Sequence, residues 1–579
     1  MNWLKSKKIP ILALIIAFLL TIFIWHNLLT GGNNIVFVFI FVAIYIAIKN
    51  VFNIVNKRSG IIAGIIAVLF AIVEIIGKSI NYDYTLNNIL DKWLIINVLG
   101  YFFIAWTTII YIFNFFENHK FKIYENLELC QNKLFSNNTF LFLLCFMLIF
   151  LAWVPYLLYY YPGILSSDSI SQVEQVLGKD TLSDHHPILH TAIIGIFVKF
   201  GLLISNNINF AIAIYSIVSM AIMALFCTIV LSYLKKKNAP FITIVISLLF
   251  YMFYPINGIY SITMWKDIFF SGIMPIFIIQ YIELIFNTEN FFAKKKNIVL
   301  FVLITLFMIY IRHNGFYVFI LSIPFVFILL RKYWEKLLSM VASVLILNIA
   351  LNFVIYDVIK VSKISVVEML SVPTQQIARV EKEHREELDE QIIDEINKFF
   401  KVENIGDYYN PTLSDPVKWS MNDEYFKDNK LEFINLWMNL LFKYPKEYIE
   451  AFISNSYGYY YVEAKNWTAI RNSGENELGI YNNSILNIPI LDNLISMTET
   501  RNVPLISSMF SIGACFWLII ICLEYKIYKK KYKYILVYLP IFILWLTLIA
   551  SPVFCEFRYA YPMFLTLPIY ISMNFKNKE

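Results

Sequence analysis

The sequence predicts an all-α polytopic membrane protein, with about fourteen transmembrane helices and a mostly helical extracytoplasmic insertion. Three observations carry this. Of 579 residues, 59% are hydrophobic and 15% charged. Many apolar runs have the roughly 17–25 residues that cross a hydrocarbon core of about 30 Å. The basic residues fall in short clusters between those runs, all on one side of an alternating path.

The runs lie at about 9–29, 35–52, 61–77, 93–115, 139–160, 208–233, 239–258, 268–287, 297–311, 316–330, 337–357, 504–525, 534–550 and 560–575. The first follows Lys5, Lys7 and Lys8, is long for a signal-peptide core and lacks a small-x-small cleavage site, so it reads as an uncleaved span. With both termini inside, the inner side holds Lys49/Lys57/Arg58, Lys120/Lys122/Lys133, Lys235–Lys237, Lys294–Lys296, Arg331/Lys332/Lys336 and Lys526/Lys529/Lys530/Lys531/Lys533. In this setting the net charge of +6 is a topology signal and does not imply nucleic acid. Residues 188–205 are apolar enough to span, but counting them would reverse every later loop. They are expected as a helix in, or dipping into, the outer interface, with Pro187 suited to its first turn. Cys130, Cys145, Cys227, Cys515 and Cys522 fall in spans or inside and only Cys555 outside, so no outer disulfide forms within one chain.

This divides the chain into an N-terminal four-span membrane region (1–138), a membrane core carrying a first catalytic outer loop at 161–187 (139–357), an extracytoplasmic helical domain (358–503) and a C-terminal three-span region (504–579). In the insertion, Leu388, Ile392, Ile393, Ile396, Phe399 and Phe400 recur at helical spacing on a charged background, which predicts an amphipathic helix over 381–400. A second is expected at about 430–455, with Asn–Pro and Asp–Pro breakers between them. The aromatic run Tyr457, Tyr459, Tyr460, Tyr461 and Trp467 fits either sugar binding or an interfacial belt.

On this topology four loops deliver charge to the outer face: Asp168, Asp184, His185 and His186 after span five; Lys266 and Asp267 after span seven; Arg312 and His313 after span nine; Glu556 and Arg558 after span thirteen. Ionisable groups near membrane depth are costly and are generally paired or functional. Each has a bland reading beside the functional one. Asp168 would cap a helix starting near Ser169. His186 and His190, four apart, would present two nitrogens to zinc, but Pro187 pins a helix start between them and no third ligand follows, so no metal site is expected there. Lys266 and Asp267 would pair at a span mouth, Arg312 and Arg558 would snorkel to lipid phosphates, and Glu556 would neutralise Arg558. Glu74, near the outer end of span three, stays unassigned.

Sugar transfer from a polyprenyl phosphate uses such a set. Its leaving group needs neutralising cations more than an acid, which Lys266, Arg312 or Arg558 supply. The acceptor hydroxyl needs a base within hydrogen-bond reach, which Asp168 supplies, and in-line attack inverts the anomeric carbon. A flippase or exporter of lipid-linked saccharides, or a polymerase using a diphosphate-linked oligosaccharide, are the alternatives; transporters favour paired repeats, broken helices and midplane charges.

The order of features (Asp168 in an outer loop, His186-Pro187 leading into an apolar helix, Glu556-x-Arg558-Tyr559 before the last span) resembles the GT-C class of polytopic glycosyltransferases, which includes protein mannosyltransferases and aminoarabinose transferases. More closely, YPGILSSDSISQ, HHPILHT, WKDIFF, RHNG, PTQQIARV (373–380) and SDPVK (414–418) are similar to an uncharacterised family of bacterial multispanning membrane proteins in or near that class, over most of the chain from about 139 onward. The resemblance implies Asp168 as base or metal carboxylate, His185 and His186 as substrate contacts and Arg558 as a donor-phosphate contact. It also implies a polyprenyl-phosphate sugar donor, a cell-envelope acceptor and, in some members, a divalent metal (Mg or Mn). Lys266, Asp267, Arg312, His313 and Glu556 complete the expected substrate-binding set. Two features depart from the class: four extra spans precede the loop, and Asp180 and Asp184 lie too far from Asp168 to form an adjacent acidic pair.

Overall fold

The computed structural model describes residues 8–28, 34–118, 137–474, 476–500 and 506–575. Lys5, Lys7, Lys120, Lys122, Lys133, Cys130 and the first residues of the expected span at 504–525 lie outside them. Among the described residues the chain is helical, with extended pairing limited to isolated bridges. Its apolar helices make it a polytopic α-helical membrane protein.

The N-terminal region comprises α1 (Lys8–Leu28), α2 (Asn34–Ile54), α3 (Lys57–Asp83) and α4 (Leu94–Asn118). The core begins with α5 (Asn138–Tyr159), two loop helices α6 (Ser167–Leu177) and α7 (Ile188–Ser205), and the long α8 (Ile208–Lys236). A pair follows, α9 (Phe241–Phe253) and α10 (Pro255–Ser261), bent by 54° where Pro255 cannot continue the hydrogen-bond ladder. Then come α11 (Lys266–Phe286), a short α12 (Thr288–Ala293), α13 (Lys295–Ile311), α14 (Asn314–Leu329) and α15 (Trp334–Phe353).

The insertion carries α16 (Ser371–His384), α17 (Glu390–Phe399), α18 (Asp415–Trp419), α19 (Asp423–Asp428), α20 (Lys430–Lys443), α21 (Pro445–Ser456) and α22 (Ile490–Thr500). The chain ends with α23 (Ile512–Tyr528), α24 (Ile535–Ala550) and α25 (Phe557–Ser572).

Ten described helices are long and apolar enough to cross a membrane, eleven if the bent pair counts as one span, against the fourteen expected. The difference lies in α13, α14, α23 and α25, which are 16 or 17 residues long, and in the bent pair. Charged or polar residues stand where each short helix stops or starts: Arg312 and His313 between α13 and α14, Lys529 after α23, Glu556 before α25. Conversely, α7 meets the length and apolarity of a span.

Contacts sort the helix ends into two groups. At one end Lys237 of α8 pairs with Glu283 of α11 at 2.6 Å, Arg58 donates to the Ile527 carbonyl at 2.7 Å, and Lys529 pairs with Glu117. At the other, Arg558 meets Asp168, Lys266 meets His186, and Asn314 donates to Thr547 at 2.8 Å. Both ends of α7 belong to this second group. Its first amide, Ile188 N, donates to Asp184 Oδ1 at 3.2 Å, while just beyond its last residue Asn209 bonds Gly479 and Tyr481 of the insertion. Helix α7 therefore crosses the first turns of α8, and at Gly201 a Cβ would come within 2.5 Å of the Ala211 Cα.

The insertion is two structures. Residues 367–451 close a core of their own around Ile377, Phe399, Leu436 and Tyr448. The expected helix over 381–400 breaks at His384 into a 3-10 turn and restarts as α17, and the second expected helix breaks at Tyr444, where Pro445 opens α21. The PTQQIARV segment lies inside this core. Gln376 bonds both the Tyr448 carbonyl and the Trp437 indole. Arg379, 2% exposed, pairs with Glu450 at 2.5 Å and Glu383 at 3.0 Å and donates to the Tyr84 carbonyl at 3.1 Å, while Glu450 also accepts from Leu86 N. Lys418 of SDPVK pairs with Glu368 and Asp415. Both motifs build and dock the insertion; neither lines the charged cluster.

The second part returns to the membrane core as a strap. Tyr457, Tyr459 and Tyr461 are buried, so they neither belong to a surface belt nor stack on a ligand, and Glu74 of α3 accepts from Val462 N at 3.0 Å. The five described cysteines are buried.

Removing Arg379 leaves buried Glu450 with only the exposed Lys446 at 3.9 Å, and breaking a buried pair in this way costs up to about 3–5 kcal/mol. Arg379→Ala should accordingly open residues 367–451 to protease at a lower temperature than in wild type while leaving the membrane core resistant. Identical digestion curves would show that this pair does not hold the insertion.

Candidate functional site

The residues after Tyr161 form a tight entry to α6. Ser166 is its N-cap, and the Ser169 hydroxyl accepts from Ser166 N at 3.3 Å, so this serine pair closes the helix start. Asp168 stands inside the first turn and is not the cap. Its carboxylate, a third exposed, faces Arg558 Nη1 at 3.3 Å across 390 residues of chain.

Arg558 sits in the first turn of α25 and is held on every side. Its Nε donates to Glu556 at 2.5 Å and Nη2 to the Tyr559 hydroxyl at 3.0 Å, while the guanidinium lies 4.7 Å from the Trp265 ring and 4.8 Å from that of Tyr559. Tyr559 also carries Arg312, whose guanidinium lies 4.4 Å from the same ring. Arg312 stands 2.9 Å from Asp267 Oδ1, without the alignment of a hydrogen bond, and both are buried. Asp267 Oδ2 has no hydrogen-bond partner. One residue earlier, Lys266 donates to His186 Nδ1 at 3.0 Å, and exposed His185 lies edge-to-face on His186 at 4.6 Å.

Asp168, His186, Lys266, Asp267, Arg312, Glu556 and Arg558 thus meet in one cluster, with His185 at its edge. Three carboxylates face three cations, and α6, α11, α14 and α25 all begin here, adding the partial positive charge of their free N–H groups. His313 is elsewhere: it lies 3.7 Å from Asp184, whose carboxylate also accepts from Tyr356 at 2.5 Å and from the first amide of α7. That aspartate anchors α7 to the end of α15. His190 is fully buried between Gln172 and Tyr215, with both ring nitrogens engaged, so it does not join His186 in a metal pair.

Sequence reasoning missed Trp265 and Ser166, whose indole-to-hydroxyl bond of 2.8 Å ties α11 to α6, and Tyr559 as the divider between two arginines. It named Trp467 only within an aromatic run. The strap pairs Trp467 with the start of α25, through Trp467 N to the Cys555 carbonyl at 3.2 Å and Phe557 N to the Trp467 carbonyl at 3.0 Å, and sets its half-exposed ring 5.9 Å from Trp265.

Burial alone would raise the Asp168 carboxyl, but Arg558, Lys266 and His186 outweigh it and hold Asp168 below the usual carboxylate range. Glu556, more deeply buried, is raised by that burial despite Arg558. The two carboxylates flanking one guanidinium are thereby driven apart in acidity. His186 is pushed down to about 3 by burial and by Lys266, so it is a neutral imidazole at physiological pH.

The carboxylates here each face a cation rather than one another. Among the described residues the one group bringing three donor atoms within 4.8 Å is Glu383, His384 and Glu447, in the insertion. The Mg or Mn ion that the resemblance allows therefore finds no three-donor seat in the cluster, and no step is routed through one.

A family model described as "Family of unknown function (DUF6020)" matches residues 178–579, and the chain belongs to that family. The match takes in Lys266, Asp267, Arg312, Glu556 and Arg558 and starts beyond Asp168. No curated protein and no solved structure matches the chain.

An unfolded His186 takes up a proton as pH falls through its ordinary 6.5, whereas the folded one resists until about 3. The stability this contributes is complete above 6.5 and is lost progressively as pH falls through that window; Asp168, also lowered, adds a loss that begins below its ordinary 3.8. Thermal unfolding should therefore weaken from about pH 6.5 downward, and His186→Gln, which cannot titrate, should flatten the slope above pH 4. An unchanged slope would contradict a buried neutral imidazole.

Proposed function

We propose that this member of the DUF6020 family is an integral membrane glycosyltransferase of the GT-C type. It would move a sugar from a polyprenyl-phosphate donor to a cell-envelope acceptor outside the membrane, inverting the anomeric centre. One observation carries the reading: Arg558, at the start of α25, faces the partly exposed Asp168 carboxylate on one side and Lys266 and Arg312 lie beside it.

In this reading the end with Lys237, Lys526 and Lys529 is cytoplasmic, following the positive-inside rule, and the cluster is extracytoplasmic. The four short helices complete fourteen crossings, and α7 lies in the outer interface with both ends on the side of the cluster. The isoprenoid tail would rest against the spans.

The chemistry follows from the charges. The acceptor hydroxyl attacks the anomeric carbon, its proton passes to an Asp168 oxygen, and the bond from carbon to phosphate oxygen breaks. The polyprenyl phosphate leaves with one more negative charge than the donor carried, and Arg558 and Lys266 neutralise it. Asp168 is a weak base while Arg558 faces it. Donor phosphate binding draws Arg558 away and raises the carboxylate's basicity when the acceptor needs it. His186, neutral, keeps an N–H for a sugar hydroxyl, and the Trp467 ring offers a stacking face.

The bend between α9 and α10 is the observation that favours a second reading, a flippase for lipid-linked saccharides, since broken spans mark many transporters. Purified protein given labelled polyprenyl-phosphate sugars and membrane acceptors separates the two. Transfer should fall about 10²–10⁴-fold in Asp168→Asn and about 10²–10³-fold in Arg558→Ala. Full transfer by Asp168→Asn would remove the base assignment. No transfer by wild type, with the lipid-linked sugar accumulating on the inner leaflet of cells lacking the protein, would favour the flippase.

A further inference from the structure

At the same end of the bundle, α3, the loop after it and the start of α4 enclose a cavity of about 490 Å³ against the strap. Its volume falls within the ~300–1,000 Å³ of small-molecule sites. The walls carry three amides (Asn81, Asn88, Asn97), two carboxylates (Asp91, Glu463) and one cation (Lys78). Lys78 donates to Asn27 at 2.6 Å and Asn27 to Asn97 at 3.1 Å, so cation and amide are held by a chain of side chains. Glu463 spends one oxygen on the Tyr461 hydroxyl at 3.1 Å, Asp91 one on Trp93 N at 2.9 Å, and Asn88 its amide nitrogen on Asp83 at 2.7 Å.

This inventory selects a ligand class. Two carboxylates against one ammonium disfavour an anion. Amides and carboxylates at several points suit a molecule whose groups both donate and accept, which describes sugar hydroxyls. Tyr82, 81% exposed, adds aromatic surface. Leu90 and Ile95, 84% and 73% exposed, stand next to the lining residues Ile89 and Leu94 and add apolar surface.

The cavity also lies near the charged cluster along the chain. Glu463 on its wall and Trp467 beside Arg558 belong to one strap, four residues apart, so at most about 14 Å of chain separates them. That proximity suits an acceptor site.

We propose that this cavity binds an uncharged, polyhydroxylated saccharide head group and serves as an acceptor site, a role that rests on the transferase reading while the binding itself does not. The residues that build it from α3 and α4 lie outside the stretch matched by the family model.

Full-length protein in nanodiscs would be titrated with diglucosyl diacylglycerol, with free maltotriose and with phosphatidylglycerol. Wild type should bind the glycolipid, and Glu463→Ala and Asn88→Ala should each weaken it about tenfold. Maltotriose binding as tightly as the glycolipid would identify a soluble glycan as the source, and weaker binding a lipid-anchored one; both support the site. Unchanged affinity in both cavity variants, or displacement of the glycolipid by phosphatidylglycerol, would overturn it. Glu463-sensitive binding by a protein that transfers no sugar would leave the cavity standing and remove the transferase reading instead.

Discussion

A largely buried guanidinium must be surrounded, and the surroundings of Arg558 determine how this protein is put together. Two carboxylates, a phenol and two aromatic faces meet it, and they come from α6, the loop before α25, α25 itself and the start of α11. Each of those charges would be costly if buried alone. Together they neutralise one another without cancelling, because the Asp168 contact is the longest of the three hydrogen bonds and more exposed than that of Glu556. The fold binds Arg558 firmly through Glu556 and Tyr559 and loosely through Asp168, which leaves the loose contact exchangeable for a ligand.

The rest of the architecture brings those helix starts to one place. Long spans run between an end rich in paired lysines and an end where α6, α7, α11, α14 and α25 begin. Asp184 pins α7 to the end of α15, and Arg379 and Glu450 clamp the insertion to the loop after α3. From there the strap lays Trp467 beside Arg558 through backbone pairing, so the insertion contributes an aromatic ring to the cluster although its own core stands apart.

Much of this was legible in the sequence, for one physical reason. In a chain with 15% charged residues, a charge at the end of an apolar run has to be explained, and Asp168, Lys266, Arg312, Glu556 and Arg558 stood out and do converge. Aromatic residues make up 17% of the chain, so Trp265, Tyr559 and Trp467 carried no comparable signal, and their positions depend on packing between distant segments. Asp184 and His313 looked like members of the cluster because sidedness cannot distinguish two sites on one face. PTQQIARV and SDPVK were visible as motifs, but a buried ion pair that docks a domain and a catalytic one use the same residue types. The helix breaks at His384 and Tyr444 were hidden because apolar periodicity continues across them. The count of spans was least legible, since four helices fall short of the usual length and only their contacts at both ends show where they lead.

The most direct measurement is a cryo-electron microscopy map of the protein in nanodiscs with a polyprenyl-phosphate sugar. The phosphate should lie within hydrogen-bond distance of Arg558, with Lys266 nearby and the anomeric carbon facing Asp168, whose contact to Arg558 should have opened. A donor seated away from Arg558, or a closed Arg558–Asp168 contact in a donor-saturated map, would contradict that assignment.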